Sequence, residues 1–90
     1  MCVEEEIELL ECELIEIKSE EINHAACKKL LTLIKKCNRT IKGLKANCVD
    51  ASSLRKDFLF SCIEQVLDIK QKAQNLIDNY YQISFSIVEL

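Results

Sequence analysis

From Met1 to Leu90 the chain contains no proline and a single glycine, Gly43. A many-stranded sandwich or barrel needs turn residues about every eight to twelve positions, and proline and glycine are the residues that supply them. Helix is the architecture that runs without them. Apolar residues make up 49% and charged residues 30% of the sequence. That is too much hydrophobicity for a disordered chain, which lacks the apolar surface needed to offset chain entropy. The length holds one domain, residues 1–90, since domains run to about 100–150 residues. A chain this short buries only about 60–65% of its unfolded surface, so a partner or a staple adds much to its stability.

The charge is partitioned along the chain. Residues 1–21 carry nine glutamates against Lys18, a net of −8; residues 22–49 carry seven bases and no acid, a net of +7. Residues 50–90 return to −2, which leaves −3 for the whole. Within the basic stretch, Ile22, Ala26, Leu30, Leu33, Cys37, Ile41, Leu44 and Cys48 recur at steps of three and four. That is the spacing of one helical face. A basic amphipathic helix is predicted over 20–47, with Ser19 as its cap and Glu20 and Glu21 meeting the positive end of the helix dipole. Lys28, Lys35, Arg39 and Lys42 project opposite the apolar stripe, and Gly43 marks a kink or a close helix crossing.

A break at Asn47–Ser53 introduces a second helix over 52–81, with Asp50, Ser52 and Ser53 as cap candidates. Its stripe runs through Leu59, Cys62, Ile63, Val66, Ile69, Ala73, Leu76, Ile77 and Tyr80. Phe58, Phe60 and Leu67 fall off the centre of that stripe, so this helix is apolar on more than one face. In the acidic segment, 3–18, Val3, Ile7, Leu10, Leu14 and Ile17 form a short seam, although neighbouring residues alternate as a strand would. Glutamate favours helix, so helix is expected there. Leu14-Ile15-Glu16-Ile17 also has the form of a short apolar strand able to extend a partner's sheet, with a core-facing segment as the preferred reading. Ile83-Ser84-Phe85-Ser86-Ile87 alternates apolar and polar residues, and an extended tail is expected over 82–90.

These elements predict an all-α fold, a long antiparallel helical hairpin. The acidic segment completes it to a three-helix bundle, or dimerisation completes it to a four-helix arrangement, with a short extended segment at the C-terminus.

The six cysteines, Cys2, Cys12, Cys27, Cys37, Cys48 and Cys62, lie ten or more residues apart. They read as small packing residues in a reducing compartment. The acidic start Met1-Cys2-Val3-Glu4-Glu5-Glu6 is unlike a secretory signal, no apolar run reaches membrane-spanning length, and an intracellular (cytoplasmic or nuclear) protein is expected. Zinc needs paired ligands; His24 with Cys27 is half a site, so no metal or cofactor is expected. No phosphate loop or nucleophile motif is present, and the lone histidine, His24, has no neighbouring acid to orient it. The expected function is therefore non-enzymatic: an interaction or oligomerisation module, a homodimer or an adaptor for a helical partner protein. The residues expected to carry it are Phe58, Phe60 and Leu67, then Leu10, Leu14, Phe85 and Ile87. The alternative is nucleic-acid or chromatin association through Lys28, Lys35, Arg39 and Lys42.

Overall fold

The computed structural model describes the backbone of residues 2–89 and the side chains of residues 2–82. Three helices follow in order: α1, Val3–Ser19; α2, His24–Cys48; and α3, Ser53–Glu89. Among the described residues there is no strand. The alternating acidic segment is therefore helical, and Glu4, Glu5 and Glu6 occupy its first turn, where the helix dipole favours negative charge. Leu14 and Ile17 point into the core from α1, so the Leu14–Ile17 quartet is not a sheet-extending strand.

Capping decides the first boundary. Ser19 Oγ donates to the Glu16 carbonyl at 2.7 Å, and the Glu20 N–H donates to the Ile17 carbonyl at 3.1 Å. Ser19 thus closes α1 and does not open α2. Asn23 starts α2 instead, its side-chain oxygen accepting the Ala26 N–H at 2.9 Å. The helix expected from position 20 accordingly begins at His24, and Glu20 and Glu21 lie in the link before it. At the other turn, Ser52 Oγ accepts the Arg55 N–H at 3.3 Å and its carbonyl accepts the Lys56 N–H at 2.8 Å.

The tail departs from its expectation. Helix α3 continues to Glu89, so the backbone of residues 82–89 is helical, where an extended segment over 82–90 was expected. No glycine or proline interrupts the chain after Ser53, and five alternating residues are too short a pattern to end an established helix, whose propagation adds a hydrogen bond per residue. The side chains of Phe85 and Ile87 lie outside the described residues.

The core is a seam of apolar side chains. Leu30, Leu33, Cys37, Leu59, Val66 and Ala73 have almost no exposure, and α1 adds Ile7, Leu10, Leu14 and Ile17. Among the described residues no polar or charged side chain is buried. Small residues at the centre, Ala26, Cys27, Cys37, Cys62 and Ala73, let the helices approach closely. Of the cysteines, Cys27, Cys37 and Cys62 are buried packing residues, Cys48 is half-buried, and Cys2 and Cys12 are exposed. Burial pushes the thiols of Cys27, Cys37 and Cys62 up, which keeps them neutral at physiological pH.

The molecule measures 56 × 22 × 15 Å. Its longest dimension matches the roughly 55 Å of a 37-residue helix, so α3 sets the length. Its radius of gyration, 15.7 Å, exceeds the roughly 12 Å of a compact chain of this size. The α2–α3 packing is the most extensive, with α1 laid against both.

Gly43 marks no close crossing: a Cβ there would meet nothing within 4 Å. Gly43→Ala should therefore stabilise the protein by about 1 kcal/mol, the helix-interior difference between the two residues. Urea unfolding measures this, and an unchanged or lowered midpoint would show that the position is constrained.

Candidate functional site

Two packed helices form two grooves, one on each side. In this hairpin α1 fills one. It runs antiparallel to α2, as two ion pairs show: Lys29 Nζ to Glu20 Oε2 at 3.1 Å and Lys36 Nζ to Glu13 Oε1 at 2.6 Å. The two lysines are seven residues apart on α2, and the two glutamates are seven apart, Glu13 within α1 and Glu20 at its C-cap, so the rungs repeat every second turn on facing edges. The acidic and basic segments are thus paired within one chain. Sequence reading singled out Lys28, Lys35, Arg39 and Lys42 and passed over Lys29, Lys36, Glu13 and Glu20. The matching seven-residue spacings were the signal that locates them.

On α3 the side toward α1 is marked by Phe58, Ser61, Cys62 and Gln65, which share a surface with Glu4, Ile7, Glu8 and Glu11. Phe58 packs against the core, with the Arg55 guanidinium 5.2 Å from its ring centre. At about 100° per residue, Phe60 and Leu67 turn to the opposite flank of α3. They are 54% and 46% exposed. Tyr81, a further fourteen residues along, lies on the same flank, exposed and edge-on to Tyr80 at 5.5 Å. On α2 the edge away from Lys29 and Lys36 carries Leu31, 46% exposed. Leu31, Phe60 and Leu67 therefore border the second groove of the hairpin, which nothing in the described chain covers.

Charge distinguishes the two grooves. The first joins acidic α1 to the lysines of α2. The second is bordered by Lys42 and Lys45 from α2 and Lys56 from α3, all exposed, and by half-buried Lys70. The charge of Lys70 acts on Cys37, partly opposing the upward push of burial. Among the described residues, ion pairs engage neither these four lysines nor Lys28, Lys35 and Arg39.

The residues expected to bind a partner are therefore divided. Phe60 and Leu67 are available at the open groove. Leu10 and Leu14, 6% and 5% exposed, are inside the bundle, because α1 covers the hairpin in cis and takes them as core. Phe58 is half-buried for the same reason. Lys28, Lys35, Arg39 and Lys42 lie on the outside of α2, exposed. His24 is exposed and Cys27 is buried. Among the described residues no cluster of three or more metal-ligating side chains forms, and no helix is long and apolar enough to cross a membrane. No protein-family model, curated protein or solved structure matches the chain.

The pairing of α1 with α2 makes a direct prediction. Lys36→Glu should lower stability by about 0.5–1 kcal/mol at low salt, and adding Glu13→Lys should restore most of it, as for an exposed ion pair. Denaturation of the four species of the cycle measures the coupling. A loss that persists unchanged in high salt, or that the second substitution does not repair, contradicts the pairing.

Proposed function

We propose that this chain is a non-enzymatic protein–protein interaction module that docks a helical partner, or a second copy of itself, through the open groove between α2 and α3. One observation carries the reading: with the core complete and α1 seated, Phe60, Leu67 and Leu31 remain about half exposed along the flank of the hairpin away from α1. Each apolar Å² removed from water contributes about 25 cal/mol, so a helix laid into that groove is held by the same force that holds α1 in the other. Exposed apolar patches of this kind mark interaction sites on ordinary monomers. A two-fold pair of hairpins sharing the groove corresponds to the four-helix form of the module, and C₂ symmetry is the commonest for such pairs. Free cysteines without a bonded partner suit work inside the cell, where thiols stay reduced.

A photoreactive phenylalanine analogue at Phe60 tests the reading in cells. It should yield a discrete adduct, with the mass of two chains or of one chain plus a partner. The same analogue at exposed Gln65, on the side of α3 that faces α1, should not. No adduct at position 60, or identical adducts at both positions, contradicts the proposal.

The second reading, nucleic-acid association, has one observation in its favour: Lys28, Lys35, Arg39 and Lys42 share the outer side of α2, exposed. Against it stand the acidic surface of neighbouring α1 and a basic face without aromatic residues for base stacking. The interaction-module reading predicts no binding of short duplex DNA or RNA at physiological salt. Binding that weakens steeply as salt rises and is lost in Lys35→Glu/Arg39→Glu would favour the second reading.

A further inference from the structure

We infer that the open groove takes an acidic amphipathic helix from a partner protein, an inference that rests on the reading of the chain as an interaction module. Half-exposed Leu31, Phe60 and Leu67 border the groove with apolar surface. Its α2 edge is basic, with Lys42 and Lys45, and Lys56 adds a positive charge on α3 near the turn. The α3 border also carries acids: Glu64, and Asp78, which lies five full turns from Phe60 on the same line of the helix and accepts a hydrogen bond from Gln74 at 3.0 Å. A helix entering with a neutral or basic polar face would leave the three lysines facing like charge or nothing. An acidic face neutralises them.

The chain contains its own example of such a ligand. Helix α1 lies on the other side of the same hairpin, with Leu10, Leu14 and Ile17 turned inward and Glu13 and Glu20 paired to Lys36 and Lys29. Helix α2 thus offers lysines along both of its edges, and the structure uses only those on one. A second copy is the weaker occupant. Its acidic helix is already seated on its own hairpin, and its outer acidic face laid into this groove would make a head-to-tail contact, not the self-complementary contact of a two-fold pair.

The test uses a fluorescent peptide with the sequence of residues 2–21, added to the full 90-residue protein and followed by anisotropy. Saturable binding is expected, weakened about tenfold or more by Phe60→Glu and by Lys42→Glu/Lys45→Glu, as removal of a central anchor or of complementary charge predicts. Both variants alter exposed side chains, and circular dichroism checks that helicity is kept; Leu67→Gln repeats the apolar arm with a milder change. Binding lost in Phe60→Glu but indifferent to the lysine reversals keeps the docking groove and overturns the acidic partner. Absence of saturable binding, or binding weakened only by Lys36→Glu, which reports exchange with the protein's own α1, overturns the inference. Sedimentation showing a dimer that Phe60→Glu dissolves makes a second copy the occupant and overturns the inference while sustaining the module. Phe60→Glu and Leu67→Gln without effect on either peptide binding or oligomeric state overturn both.

Discussion

The packing of α2 against α3 sets the geometry of the molecule. Leu30, Leu33 and Cys37 meet Leu59, Val66 and Ala73 in a seam with almost no exposure. Alanine and cysteine among these residues bring the two backbones close, and no buried polar group weakens the contact among the described residues. A tightly packed antiparallel hairpin necessarily has two long grooves. What distinguishes this protein is that its own chain fills one and leaves the other bordered by large apolar side chains.

Helix α1 is held to the hairpin by apolar burial and aligned by charge. Ile7, Leu10, Leu14 and Ile17 contribute burial, at roughly 1.5–3 kcal/mol for each fully buried side chain. The two exposed ion pairs contribute at most about 1 kcal/mol each, so they set register more than strength. Slipping α1 by one turn would separate both rungs at once, since they share the same seven-residue spacing. The −8 and +7 of the first two segments are therefore partly an internal matter of the fold, and the lysines on the other side of α2 take no part in this pairing.

Much of the fold was legible because helical periodicity needs no tertiary information. The stripe from Ile22 to Cys48 and the polar run around Asp50–Ser53 locate α2 and the hairpin turn from spacing alone. The misreadings have physical causes. Ser19 and Asn23 are both competent caps, and only the backbone decides which helix each serves; Ser19 turns back to Glu16. The run Ile83-Ser84-Phe85-Ser86-Ile87 has strand chemistry, but a helix already formed continues through it in the absence of a breaker. At the candidate site, Phe60 and Leu67 were identifiable as off-stripe apolar residues. Leu10 and Leu14 looked equally free because a short apolar seam carries no mark of whether it binds in cis or in trans. Leu31 went unnoticed because one leucine beside a stripe is ordinary until the neighbouring helix is in place.

The central claim is that α1 occupies one groove of the hairpin within the same chain and that the other stands open. Hydroxyl-radical footprinting of the dilute protein, read residue by residue by mass spectrometry, tests it most directly. The account predicts strong labelling of Phe60 and Leu67 with protection of Leu10 and Leu14, and protection lost only on unfolding. Protected Phe60 and Leu67 with labelled Leu10 and Leu14 would place α1 outside the bundle, in contradiction to the account.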